Sequence, residues 1–236
     1  MSPNGDYDAA MQARTSVMLE VAALALATGV FLATFRVRAS YVDFALAAAA
    51  AALIVASSRR SRRLWDLATP APATDTAANV HYRSATLLSA AFTAVALAAF
   101  AVLAFGWPRA GAAGAPLLAR LFTAHFFVAM LLYFPWALLQ QYIFQFYLCG
   151  RLLQLVPVAV AVALTATAFA SVHFPRWPVM AVTLVAGSVW TLIYYRHRVL
   201  LPLAASHAIL GAALHYWVFG DDLLATWLAL LAPSLP

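Results

Sequence analysis

Apolar runs long enough to cross a membrane recur along the whole chain, near 16–35, 40–57, 85–106, 117–151, 153–173, 178–195 and 199–218, with a shorter one at 222–232. A hydrocarbon layer about 30 Å thick takes roughly 20 apolar residues of helix. Within it, a segment satisfies its own backbone polar groups only as a helix or in a closed barrel. Runs of this length, well beyond a barrel strand of roughly 10 residues, read as helices. The expectation is an all-α, polytopic transmembrane helical bundle of about seven to eight spans. Charged residues make up 9% of the chain, against about 25% in soluble domains. A water-facing surface cannot be assembled from so few, which excludes a soluble enzyme or a nucleic-acid-binding module. The single cysteine, Cys149, excludes an internal disulfide.

The few charges carry topology. All 14 basic residues are Arg, and in this Ala-rich chain that composition points to a GC-rich bacterial genome. The start, 1–16, carries Asp6, Asp8 and a single Arg, the wrong flank for a secretory signal, so the first span is expected to be retained. The sequence divides into N-terminal membrane helices over 1–116, with a basic loop at 58–84 opening on Arg59, Arg60, Arg62 and Arg63, and core helices over 117–236. The 117–151 run would reach about 50 Å as a straight helix, so Pro135 is expected to kink it or split it. With one kinked span and the N-terminus inside, nine Arg are cytoplasmic against five outside. The positive-inside rule therefore favours a bacterial cytoplasmic membrane protein with its N-terminus inside.

Ionisable groups within spans cost about 2.5–3.5 kcal/mol each on insertion scales, so each is a functional candidate. Here they are Glu20, Asp43, Arg120, His125, His173, His207 and His215, joined by the amides Gln140, Gln141 and Gln145. Structural readings stand beside several: Arg120 can snorkel from a span end, His215 lies beside the interfacial pair Tyr216 and Trp217, and Glu20 and Asp43 can pair with Arg across helices. Gln141 and Gln145 are four apart, one face of an α-helix. Phe169 and His173 share that spacing on the next helix, and His207 and Gly211 on a later one. Three polar stations on successive helices can converge in a bundle core, where sites between helices are built.

The stretch from about 136 to 214 resembles the CPBP family of intramembrane proteases, which includes the CAAX prenyl endopeptidases and bacteriocin-processing proteins. That family carries EExxxR, FxxxH and HxxxN on successive membrane helices. Here Gln140-Gln141-Tyr-Ile-Phe-Gln145 stands in the place of EExxxR, Phe169 to His173 matches FxxxH, and His207 to Gly211 keeps only the histidine of HxxxN. Phe144, Gly150, the His173-Phe174-Pro175 turn and the basic turn Arg196-His197-Arg198 support the pattern. The resemblance implies that Gln140, Gln141, Gln145, His173 and His207 occupy catalytic positions, with Phe169 and Gly211 lining the site. It implies a membrane-embedded peptide or protein, in the lipid bilayer, as substrate or partner, with no nucleic acid.

In the family the first glutamate and the second-motif histidine are thought to activate water, and the third-motif His and Asn to stabilise the oxyanion. An amide at 140 has no useful basicity near neutral pH, and Gly211 offers no donor. The replacements are concerted: an Arg kept at 145 without its glutamates would be a stranded buried charge, and 145 is Gln too. Glu20, the only glutamate, and Asp43 are the mid-span carboxylates that can rescue base chemistry. No metal site and no cofactor are expected: His173, His207 and His125 or His215 supply imidazoles, but there is no HExxH and no Cys pair. Cys149 reads as a packing residue. Three functions remain open: a peptidase with degenerate or altered chemistry, a non-catalytic binder or escort of membrane segments, and a small transporter, against which the lack of internal repeats argues.

Overall fold

The computed structural model describes residues 3–34, 74–106 and 121–231, with a few isolated positions between 45 and 55. Every element among them is helical: α1 (Pro3–Thr34), α2 (Thr74–Gly106), α3 (Ala124–Gln141), α4 (Gly150–Leu152), α5 (Val158–Ser171), α6 (Trp177–His197), α7 (Leu201–Ala213) and α8 (Leu223–Leu231). Two π-helical segments, Tyr142–Cys149 and Leu214–Phe219, continue α3 and α7 without a break. The expected span at 40–57 and the arginine run of the basic loop lie outside the described residues, as do Asp43 and Arg120. The end of that loop differs from expectation, because α2 already begins at Thr74. Hydrophobicity marks where a helix enters hydrocarbon, whereas backbone hydrogen bonding lets it continue beyond.

Among the described residues, Arg14–Thr34, Ala78–Phe105, Ala124–Leu152 and Trp177–His197 are long and apolar enough to cross a membrane. Leu201–Phe219 and Leu223–Ala229 form a pair bent by 97°, and Val158–Ser171 is a shorter apolar helix. Pro135 lies inside α3 without splitting it. The outward faces are apolar: Leu26, Val95, Val102 and Phe105 each expose 70% or more of their surface. Soluble monomers rarely leave such large apolar patches uncovered; side chains of this kind belong against lipid. The chain is an integral membrane protein.

Contacts group the chain into two compact units, Met1–His81 with Leu139–Leu200, and Tyr82–Leu138 with Leu201–Pro236. In the first unit α5 packs along α6, and the π-helical segment lies against both. Gly187 makes the α5–α6 approach possible, since a Cβ there would lie 3.0 Å from Phe169 Cδ1 and 3.5 Å from Ala166 Cα. Phe169, Thr165, Trp190 and Tyr194 are buried at this seam. α6 stops at Arg198, whose φ of 57° is left-handed and whose N–H donates to the Tyr194 carbonyl. Arg196 in the last turn complements the helix dipole.

In the second unit α7 and its π-helical extension turn sharply at Gly220, φ 75°, a backbone state that glycine adopts without a Cβ penalty. Asp222 then caps α8, its Oδ1 accepting from the Ala225 N–H at 3.0 Å and from the Tyr216 hydroxyl at 2.8 Å. Tyr216 Oη in turn accepts the Leu224 N–H, and Trp217 donates to the Leu121 carbonyl at 2.7 Å. The Thr93 and Ser206 hydroxyls meet at 2.7 Å in the buried contact of α2 with α7.

Adding volume at Gly187 should be felt at once. Overpacking a tight core costs about 1–3 kcal/mol, so Gly187→Val is expected to lower the thermal unfolding midpoint in detergent, with Gly187→Ala closer to wild type. Equal midpoints for all three proteins would contradict the close α5–α6 seam.

Candidate active site

The first-motif residues ride on the junction of α3 with the π-helical segment. Gln140 and Gln141 close α3, and Gln145 sits within Tyr142–Cys149. The sequence reading assumes an α-helix here, in which Gln141 and Gln145 stack one turn apart. A π-helix bonds i to i+5 and widens the turn, and such segments occur often at functional sites. All three glutamines are buried, Gln141 and Gln145 completely. Gln145 Nε2 donates to Thr191 Oγ1 at 3.3 Å, and the Thr191 hydroxyl donates to the Gly187 carbonyl at 2.6 Å. A buried chain thus runs from the first motif into α6. Among the described residues, the side-chain carbonyl oxygens of Gln140 and Gln145 have no hydrogen-bond partner. Burying an acceptor in that state costs about 1–3 kcal/mol. Both are therefore poised to accept a hydrogen bond from a water or a ligand.

The second motif forms one compact contact. His173 Nδ1 lies 2.9 Å from the Phe169 carbonyl oxygen, four residues back. In the neutral ring the proton therefore sits on Nδ1, and Nε2 keeps its lone pair. The Phe169 ring meets His173 edge-on at 5.2 Å and is itself held by Phe144 at 5.2 Å and Trp190 at 6.0 Å. The FxxxH spacing is thus a buried aromatic buttress with the histidine at its edge. His173 is half-buried, at the start of the turn that contains the cis Phe174–Pro175 bond.

In the second unit His207 is buried on α7, its Nε2 3.5 Å from the Tyr133 hydroxyl and its ring edge-on to Tyr133 at 5.6 Å. Gly211, one turn on, faces the same ring: a Cβ there would lie 2.5 Å from Tyr133 Cε1. Tyr133 escapes a sequence search confined to ionisable groups and amides, because a lone tyrosine in an apolar span reads as packing. Thr191 escapes for the same reason. The only signal for either is a hydroxyl inside a span.

The remaining candidates have structural partners. Glu20 Oε2 is 2.6 Å from Arg151 Nη2 and accepts from the Tyr147 hydroxyl at 2.7 Å. The Arg151 guanidinium also lies over the Tyr147 ring, 5.5 Å from its centroid. The carboxylate considered as a rescuing base is thus committed to an ion pair across helices, the structural reading of Glu20. His125 pairs with Asp222 at 2.7 Å and His215 with Asp221 at 3.2 Å. Cys149 is fully buried.

Fold and site together define an all-α integral membrane protein with glutamine and histidine stations on its helices. A family model described as "Type II CAAX prenyl endopeptidase Rce1-like" matches residues 122–213, a segment that contains all three motif stations. Over that stretch, well under half of the chain, the protein is similar to type II CAAX prenyl endopeptidases. Comparison with curated proteins and with solved structures gave no match.

The Glu20–Arg151 pair yields a stability prediction. Removing one partner of a buried pair strands the other, at a cost on the order of 3–5 kcal/mol. Glu20→Gln should therefore destabilise the detergent-solubilised protein strongly, and Glu20→Gln/Arg151→Met should recover most of the loss. A double variant no more stable than Glu20→Gln would show that the pair is not the source.

Proposed function

We propose that this protein is a degenerate CAAX-protease-like membrane protein that holds a membrane-anchored or C-terminally tagged peptide, with hydrolysis lost or strongly reduced. The observation that carries this reading is the chemistry of the first-motif station. Where the family has two glutamates and an arginine there are three buried glutamines, two of them with amide oxygens that have no donor among the described residues. Losing a positioned general base costs about 10²–10⁴ in rate, and the single glutamate of the chain is engaged by Arg151. Amide oxygens in a dry site accept hydrogen bonds from peptide N–H groups without activating water. Such a station can hold an extended segment that a glutamate would help to cut.

The proposal includes a bacterial cytoplasmic membrane and an N-terminus inside, supported by the arginine distribution. A second reading, residual hydrolysis with His173 as base, draws support from its tautomer, which keeps Nε2 as an acceptor.

Protein reconstituted in proteoliposomes, with farnesylated and unmodified C-terminally tagged membrane peptides, separates the readings. Wild type is expected to bind a subset of the panel with turnover at background, and Gln140→Leu/Gln145→Leu to weaken that binding at least tenfold. Turnover by wild type that disappears in His173→Ala would establish the second reading in its place. Turnover gained in Gln140→Glu, or only with Gln141→Glu added, would mean that the rest of the apparatus survives. No binding across the panel would overturn the proposal.

A further inference from the structure

The end of α6 carries cationic side chains with no anionic partner among the described residues. Arg196, His197 and Arg198 are consecutive, and the His81 ring of α2 meets the His197 ring edge-on, with centroids 5.7 Å apart. The sequence holds no aspartate or glutamate anywhere between 139 and 200. Among the described side chains of the first unit the one carboxylate is Glu20, and it is paired with Arg151.

Two polar nitrogens at this end are enclosed and idle. Arg198 Nη1 and His197 Nδ1 are both buried, and neither has a hydrogen-bond partner among the described residues. A buried guanidinium N–H without an acceptor costs more than a neutral N–H in the same state, because the charge has lost solvation as well. Arg198 is also held where it is. Its backbone is fixed in the left-handed conformation that ends α6, and its guanidinium lies over the rings of Tyr194 and Tyr195, 5.6 Å and 5.7 Å from their centroids. Tyr194 is itself buried. These cation–π contacts orient the guanidinium without using its Nη1 donor.

Trp177–His197 is long and apolar enough to cross a membrane, so Arg196, His197 and Arg198 fall at the level where lipid headgroups begin. The helix dipole puts about half a negative charge at this end, and two guanidinium groups outweigh it. The planar fork of arginine matches phosphate oxygens, and the imidazole beside it donates from Nδ1 when that nitrogen carries the ring proton. Basic clusters at the ends of membrane helices recognise anionic headgroups through this chemistry.

We infer that His197 and Arg198 form a binding site for the phosphate of an anionic lipid headgroup at the end of α6. Arg198 Nη1 and His197 Nδ1 donate to phosphate oxygens, the exposed Arg196 adds charge, and His81 braces the His197 ring. The site uses none of the motif residues, so its fate is independent of the function proposed above.

The test is native mass spectrometry of the full chain in a neutral detergent, measuring affinity for phosphatidylglycerol and phosphatidylcholine, with inorganic phosphate as a competitor. Wild type should retain phosphatidylglycerol in clear preference to phosphatidylcholine. Arg198→Asn removes the guanidinium while asparagine tolerates the left-handed backbone, and affinity for phosphatidylglycerol should fall about tenfold, the weight of one charge-assisted hydrogen bond. Arg198→Lys, which keeps the charge and loses the fork, should fall less. His197→Asn leaves residue 198 in place and should also weaken binding, which keeps the site testable should Arg198→Asn not fold. Arg14→Gln removes the same charge from the exposed surface of α1 and should change affinity by no more than about twofold, since exposed charges are screened. Equal affinity for the two lipids would refute the site, and so would equal losses in Arg198→Asn and Arg14→Gln. Displacement of the lipid by inorganic phosphate would overturn the lipid as ligand and assign the site to a soluble phosphate.

Discussion

Hydrocarbon supplies no hydrogen-bond partners, so each polar side chain within a span must find one inside the protein or leave a cost standing. The Glu20–Arg151–Tyr147 cluster meets this demand at one carboxylate oxygen. One carboxylate oxygen takes both the guanidinium and the phenol, and the same phenol ring lies beneath the guanidinium. Among the described residues of α1, Val17 is the only buried side chain, and Met18, Leu19, Leu26 and Val30 are exposed. The ion pair joins this helix to α4.

The same demand explains the contrast between the ionic cluster and the glutamine station. In the first unit the motif position is neutral, and the charges at 20 and 151 are paired with each other. At the motif the station is neutral: Gln145 donates from Nε2 to Thr191, and the side-chain oxygens of Gln140 and Gln145 have no donor among the described residues.

Much of the fold was legible because the bilayer imposes a single length scale. The runs at 16–35, 85–106, 117–151 and 178–195 correspond to membrane-length helices, and keeping 117–151 as one span through Pro135 agrees with a helix that continues to Leu152. Helix extension into polar sequence at Thr74 was not legible, since hydropathy marks the lipid boundary and says nothing of where backbone hydrogen bonding stops. The π-helical form of Tyr142–Cys149 has no propensity signature at all. It depends on which side chains of α5 and α6 accept the widened turn, and that is tertiary information.

The site was legible in its stations and opaque in its partners. The motif order singled out Gln140, Gln141, Gln145, Phe169, His173, His207 and Gly211, without the ring contact that Phe169 makes with His173. It could not show that Gln145 leans on Thr191, or that Gly211 stands where it does for the sake of Tyr133. A glycine in a motif reads as the loss of a side chain as long as only its own helix is considered. Against α3 it is the gain of a space, and what fills a space determines its chemistry. Here the space holds the Tyr133 ring, edge-on to His207 at 5.6 Å. The argument for lost hydrolysis rests on the glutamines, whose amides lack the basicity of the glutamates they stand for.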